Sequence, residues 1–185
     1  QANGEFIGVV SQKNSEIENP EEKDLYTTGT LAKIIKIIKL PEGNITAITK
    51  GFHRFKIKKI VDKQPYLKGE ITKLKDTKPK TKEEYEALLE NIKDLALKII
   101  DLDPNIPNAA NFAIKNISSN DDLLNFICSN ASFRSGEKQK LLEEKSLLVR
   151  ANKCYEMMHE DFRKLELRNQ IHQKTSKDLD KKQRE

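Results

Sequence analysis

The chain has 185 residues, of which 36% are hydrophobic and 34% are charged, and its 34 Lys and Arg against 29 Asp and Glu give a net charge of +5. This length fits one or two domains, and the polar balance predicts that part of the chain stays outside any hydrophobic core. No run reaches the roughly 18 apolar residues of a membrane helix, no signal-peptide pattern opens the chain, and its two cysteines are not at C-x-x-C spacing. The sequence therefore predicts a cytoplasmic protein without a membrane segment.

Residues 1–76 have the pattern of short strands separated by turns. Residues 31–40 fit either a helical stripe or a strand, but they are rich in β-branched Ile and end at Pro41 and Gly43. With residues 45–50 running back, this favours a hairpin. In residues 53–60 Phe55 and Ile57 alternate with basic residues, and residues 66–74 supply one more strand. This part is predicted to be a small β-rich domain.

Residues 77–136 have the pattern of a helical subdomain, which follows a connector rich in Lys and Pro at residues 75–82. Thr81, with Glu84 three positions later, is predicted to cap the first helix as a capping box. Apolar residues at helical spacing continue that helix to about Asp101. A shorter helix is expected over residues 108–117, and the next two are expected to be capped by Asn120 and Ser135.

Residues 137–185 contain no Pro and no Gly, which predicts a long helix. Leu148, Ala151, Tyr155, Met158, Phe162 and Leu165 alternate at spacings of three and four, as in a heptad seam. A helix over residues 139–185 would be about 70 Å long and should project beyond a domain whose radius of gyration is about 13 Å. Whether it is continuous stays open. The predicted fold class is α+β.

No pattern for catalysis or for a cofactor is evident. The seven glycines never form a phosphate-binding loop, the three histidines are too dispersed for a local metal site, and no G-x-S-x-G elbow occurs. We expect no catalytic residue, no metal and no cofactor in this chain.

The stretch from residue 50 to residue 82 holds twelve Lys or Arg against three acidic residues, a local balance of +9. Arg54, Lys56 and Lys58 on one strand face could follow a phosphate backbone, which makes a nucleic-acid-binding module the alternative function. The simpler interpretation, which we favour, is a solubilising surface.

The apolar seam of the last segment also has two interpretations. It could pack against the preceding helices, which is the simpler one. Alternatively, Met157, Met158 and Phe162 could present an adaptable apolar surface to non-native polypeptide.

Six segments along the chain match the pattern of one known family. In the first half they are residues 6–13 (FIGVVSQK), 24–34 (DLYTTGTLAKI), 40–43 (LPEG) and 50–55 (KGFHRF), and in the second half residues 137–143 (EKQKLLE) and 174–185 (KTSKDLDKKQRE). On these residues the chain resembles the amino-terminal domain of the Lon family of ATP-dependent (AAA+) serine proteases, in which residues 174–185 are similar to the long helix that leads toward the ATPase module.

The resemblance implies a PUA-like β subdomain, a helical bundle and an extended helix, in a region that recognises unfolded, damaged or regulatory proteins and supports a homohexamer. It implies DNA as a further partner of some members, and ATP, Mg and the Ser-Lys protease residues only in domains outside this chain. A first strand and helix are expected before residue 1. We therefore predict a non-catalytic substrate-recognition and assembly region.

Overall fold

A computed structural model describes the backbone of residues 6–41 and 43–182 and the side chains of these residues as far as Thr175. Among the described residues, four strands precede five α-helices, so the predicted α+β class is confirmed. The strands are β1 (Phe6–Val9), β2 (Thr28–Lys39), β3 (Ile45–Asp62) and β4 (Lys68–Lys73). The helices are α1 (Lys82–Leu102), α2 (Ala109–Asn116), α3 (Asn120–Asn130), α4 (Ser135–Glu143) and α5 (Leu147–Lys182).

The chain divides into two compact units. The sheet unit comprises residues 1–77 together with 134–145, and the helical unit comprises residues 78–133 together with 146–185. The first boundary, at 77/78, lies one residue from the predicted boundary at 76/77. The structure differs from the second predicted boundary, at 136/137, because α4 belongs with the strands instead of beginning the last helical segment.

The strands form one antiparallel sheet in the order β1-β2-β3-β4. The strand interpretation of residues 31–40 is confirmed, since β2 pairs with β3 from Thr28 opposite Lys56 to Lys39 opposite Ile45. Gly43 has a φ of 83°, a left-handed value that glycine adopts without steric cost. The segments 45–50 and 53–60, predicted as separate strands, are one strand of 18 residues with irregular pairing.

Phe55 forms the centre of the sheet unit, where it is 2% exposed. Two glycines on the neighbouring strands make room for its ring: a Cβ on Gly8 would lie 3.1 Å from Phe55 Cζ, and a Cβ on Gly29 would lie 3.0 Å from it. The close approach of three strands at this point therefore depends on residues without side chains.

α4 packs on the sheet, and residues 144–146 after it are not helical. The sequence leaves open whether the helix expected from residue 137 onward is continuous, and the structure shows that it is interrupted, because α4 ends at Glu143 and α5 begins at Leu147. Arg54 Nη1 donates to the carbonyl of Glu144 at 2.9 Å and also to that of Leu142, and the amide of Thr77 donates to Lys145 O at 2.8 Å. These bonds take the place of the helical ones at the break. Residues 183–185 of the predicted helix lie outside the described residues.

Three of the predicted helix caps need correction. Thr81 is at the N-cap position of α1, but its side chain makes no capping hydrogen bond. Ser119, and not Asn120, caps α3, where its hydroxyl accepts from the amide of Asp122 at 3.3 Å. Arg134 precedes α4 in place of Ser135, and the Glu137 carboxylate accepts from the Arg134 amide at 2.8 Å.

The helical unit is organised around the first half of α5. Its buried residues share one face, and α5 packs against α1. Of the predicted seam, Ala151 and Met158 are buried, whereas Leu148, Tyr155, Phe162 and Leu165 are half-buried. Beyond that half, the side chains of residues 166–175 are exposed except that of Asn169, which donates to the carbonyl of Leu102 at 3.3 Å. The buried residues of α5 are Leu147, Arg150, Ala151, Cys154 and Met158.

Candidate functional site

The helical unit contains an apolar cavity of about 660 Å³ that is open to solvent on one side. The end of α1, the loop after it, α3 and the middle of α5 surround it. Most of its lining surface is apolar, although polar and charged side chains also contribute to it, so it suits a ligand with large apolar groups. We call it the helical-unit groove. Its large apolar lining residues are Ile99, Ile100, Ile106, Ile114, Phe126, Ile127, Phe133, Met158 and Leu165.

The loop after α1 forms one wall of the groove because the sequence turns sharply there. Asp103 precedes Pro104, which cannot continue a helix, and the Asp103 carboxylate accepts from the amide of Asn105 at 3.0 Å. The amide of Ile106 donates to the carbonyl of Asp103 at 3.1 Å. This turn brings Ile106 into the groove lining, although it lies outside any helix.

Charged side chains of both signs surround the mouth of the groove. Arg168 Nη2 lies 3.8 Å from Asp103 Oδ1, and Lys164 Nζ lies 3.7 Å from Asp161 Oδ1. Pairs this long and this accessible contribute little to stability, so the charges can exchange partners at low cost. The rim therefore contains both hydrogen-bond donors and acceptors.

The three residues predicted for polypeptide contact lie at different depths. Met158 lines the groove and is 2% exposed, so it forms part of the floor. Met157 and Phe162 are half-buried and are not among the lining residues. The sequence places Leu165 on the seam but does not identify Ile106 and Phe126 as lining residues of the groove. Their positions depend on the path of the loop after α1 and on how α3 packs.

The three residues predicted for nucleic-acid contact also differ in environment. Lys56 and Lys58 are exposed on β3, whereas the Arg54 side chain is 11% exposed and ion-paired with Asp76. Since its guanidinium also donates to the carbonyls of Leu142 and Glu144, its donors serve the sheet unit itself. This favours a structural role for Arg54.

The sheet unit has an exposed apolar surface of its own. Phe6 and Phe52 meet edge to face with ring centroids 5.5 Å apart, although they are 55% and 46% exposed. Lys50 Nζ lies 6.0 Å from the centre of the Phe52 ring. This surface is accessible but less enclosed than the groove.

Within residues 6–41 and 43–182, no helix combines the length and apolarity needed to cross a bilayer. Over the same residues, His, Cys, Asp and Glu side chains nowhere gather in threes with the spacing of a metal site. The architecture is thus an antiparallel sheet with an attached helix, followed by a helical unit with an open apolar groove as its candidate binding site.

The family model of the ATP-dependent protease La (LON) substrate-binding domain matches residues 1–160. The chain therefore belongs to this family, and the matched part is the substrate-binding domain rather than an ATPase or peptidase domain.

Two similar proteins support the same family. The chain is 43% identical over its full length to the Lon protease of Flavobacterium johnsoniae, of which it covers 23%. It is 40% identical over 97% of its length to the Lon protease of Cytophaga hutchinsonii, of which it covers 22%. The chain thus spans less than a quarter of the length of these relatives.

A solved structure shows the same fold. The N-terminal domain of the Mycobacterium avium complex Lon protease superposes with a TM-score of 0.61 over 84% of this chain and 90% of that one, at 17% identity.

Proposed function

We propose that this chain is the substrate-recruiting region of a longer ATP-dependent protease, and that the helical-unit groove binds apolar side chains of unfolded polypeptides. The groove carries the proposal. A cavity of roughly 150 Å³ holds one benzene ring, so about 660 Å³ accommodates several bulky side chains. Folded proteins bury such side chains and unfolded chains expose them, so the groove would select for the unfolded state.

The chemistry of the groove suits ligands of varied sequence. Met158 on its floor has a flexible, polarisable side chain that adapts to different apolar shapes. The rim pairs Arg168–Asp103 and Lys164–Asp161 can each open to bind a peptide carbonyl or amide. We include Met157 and Phe162 as contacts on the neighbouring turns of α5, where partial exposure leaves them accessible.

The resemblance to Lon proteases supports a proposal for the longer protein. We propose that it is a cytoplasmic homohexamer in which this region delivers unfolded, damaged or regulatory proteins to the ATPase and peptidase domains. ATP and Mg would act only in those domains. The family match of residues 1–160 to a substrate-binding domain supports this assignment.

The test compares two leucines of α5. Leu165 lines the groove, whereas Leu167 is 59% exposed and does not line it. Binding of a fluorescent, reduced and carboxymethylated polypeptide is measured by anisotropy for the wild-type chain, Leu165→Asp and Leu167→Asp, with the native, disulfide-bonded form of the ligand as the folded competitor. Leu165→Asp should weaken binding about tenfold, which corresponds to about 1.4 kcal/mol, and Leu167→Asp should leave it unchanged.

Two outcomes would overturn parts of this proposal. Equal affinity for the unfolded and the native ligand would remove substrate recruitment. Loss of binding in Phe52→Asp with no change in Leu165→Asp would move the binding surface from the groove to the sheet unit, where Phe52 is exposed. Circular dichroism of each variant shows whether its helices and strands are intact.

A further inference from the structure

Two free cysteines lie on helices that pack together in the helical unit. Cys128 is on α3 and half-buried, and Cys154 is on α5 and buried. Arg150 Nη1 donates to Asn125 Oδ1 at 3.3 Å and so joins the same two helices. Cys128 lies three residues after Asn125 and Cys154 four residues after Arg150, which places each cysteine one turn along the facing surfaces.

At this next turn the two thiols lie close enough for each to shift the pKa of the other. On its other side, Cys154 Sγ lies 3.8 Å from Met158 Sδ. We propose that Cys128 and Cys154 form a peroxide-sensitive oxidation site, in which the two thiols become a disulfide that links α3 to α5.

The environments of the two sulfurs assign them different roles. The hydrogen bond from Cys154 holds the pKa of Cys128 below its ordinary value despite burial, and the nearby positive charge of Arg150 acts in the same direction. The same hydrogen bond, burial and the charge of a Cys128 thiolate raise the pKa of Cys154. Cys128 is also the more accessible of the two. Cys128 therefore reacts first, as the thiolate.

The reaction has two steps that balance. The Cys128 thiolate attacks one oxygen of hydrogen peroxide, the O–O bond breaks, and a sulfenic acid forms while hydroxide leaves and takes up a proton to become water. Cys154 then loses its proton and attacks the sulfenic sulfur, the S–S bond forms, and the sulfenic oxygen leaves as a second water. Two thiols are oxidised by two electrons, and one peroxide is reduced to two waters.

The first step also prepares the second. A neutral sulfenic acid on Cys128 removes the negative charge that raises the pKa of Cys154, so Cys154 loses its proton more readily after Cys128 has been oxidised. The completed bond closes the chain between residues 128 and 154, which restricts the unfolded state and should raise the unfolding temperature by roughly 10 °C.

The test treats the reduced 185-residue chain with hydrogen peroxide and digests it with trypsin without reductant. The expected product is a linked pair of peptides, residues 116–134 and 154–163, which separates on addition of dithiothreitol. A mixture of ¹⁴N- and ¹⁵N-labelled chains should give only pairs of a single isotope, since the bond is within one chain. Isotopically mixed pairs, or Cys128 oxidised to a sulfinic acid without a linked pair, would overturn the proposal.

Two variants assign the order of the steps. In Cys154→Ala the sulfenic acid on Cys128 has no partner thiol, so dimedone should label Cys128 in this variant and not in the wild-type chain. In Cys128→Ala the buried Cys154 should stay unmodified under the same treatment. Dimedone labelling of Cys154 in Cys128→Ala, with Cys128 unlabelled in Cys154→Ala, would reverse the assignment and contradict it. The wild-type peptide map does not depend on either variant folding.

Discussion

Gln139 on α4 is bonded to Thr28 on β2, two residues 111 positions apart in the sequence. The side-chain Nε2 of Gln139 donates to the backbone carbonyl of Thr28 at 3.1 Å and to Glu143 Oε1 at 2.8 Å. Both Gln139 and Thr28 are buried, at 4% and 5% exposure. A buried amide between a helix and a strand fixes the helix in one position, because any other position would leave it unbonded.

Gln139→Leu should destabilise the sheet unit by about 1–2 kcal/mol, since the substitution keeps the approximate volume of the side chain and removes its hydrogen bonds. The loss is measured by urea denaturation, and faster hydrogen exchange of the α4 amides locates it. Gln170→Leu is the control, because Gln170 is exposed on α5 and should change stability by less than about 0.5 kcal/mol. Equal effects of the two substitutions would show that the bond to Thr28 contributes nothing.

Arg54→Lys should cost about 1.5–3 kcal/mol even though it keeps the charge. The planar guanidinium reaches the carbonyls of Leu142 and Glu144 at the end of α4 and the carboxylate of Asp76, and a lysine ammonium cannot reproduce that arrangement. The exposed Lys56 provides the control, since Lys56→Ala should be nearly neutral. If Arg54 served mainly to bind phosphate, Arg54→Lys would leave the urea midpoint unchanged.

Gly29→Ala should destabilise the sheet unit by about 3 kcal/mol or more, because the added Cβ would lie 2.3 Å from the carbonyl oxygen of Val9 and 2.5 Å from Val10 Cγ1. The backbone of β1 would have to move away. Gly136→Ala is the matched control: its Cβ would meet only Tyr26 Oη at 3.9 Å, and alanine is the better helix former in α4. The unfolding temperature should therefore fall for Gly29→Ala and stay unchanged or rise for Gly136→Ala.

The hairpin could be predicted from the sequence because its signals are local. Residues 31–40 are ambiguous by periodicity alone, but the turn at Pro41 and Gly43 and the return strand decide the question. The register shift between Leu31, which is opposite His53, and Ala32, which is opposite Gly51, skips Phe52 of β3 and has no equally clear signal in the sequence. It made one long strand look like two.

The break between α4 and α5 could not be predicted from helix formers alone, since residues 144–146 contain neither Gly nor Pro. The carbonyls freed there are bonded to Arg54 and Thr77, which are distant in the sequence. The one local signal is Ser146, whose hydroxyl accepts from the amide of Val149 at 3.4 Å at the start of α5.

The groove could not be predicted from the sequence for a similar reason. Met158 and Leu165 follow from the seam, but Ile106 and Phe126 become neighbours of them only in the folded unit.

The reactivity of Cys128 should depend on Cys154. The hydrogen bond from the Cys154 thiol is the main cause of the lowered pKa of Cys128, so removing it in Cys154→Ala should raise that pKa. Only the thiolate reacts with iodoacetamide, and a lower pKa means that the thiolate forms at lower pH. The rate of Cys128 alkylation, followed by mass spectrometry, should therefore rise with pH along a curve that is displaced to higher pH in the variant.

Glutathione, alkylated in the same buffers, gives the curve of an unperturbed thiol for comparison. The wild-type curve should lie at lower pH than that of glutathione. The Cys154→Ala curve should move to higher pH, toward the curve of glutathione. Burial raises the pKa of Cys128 in both proteins and therefore does not account for the difference between their curves. Coincident curves for the wild-type chain and the variant would mean that Arg150, and not the Cys154 thiol, stabilises the Cys128 thiolate. The different roles of the two sulfurs in disulfide formation would then lose their physical basis.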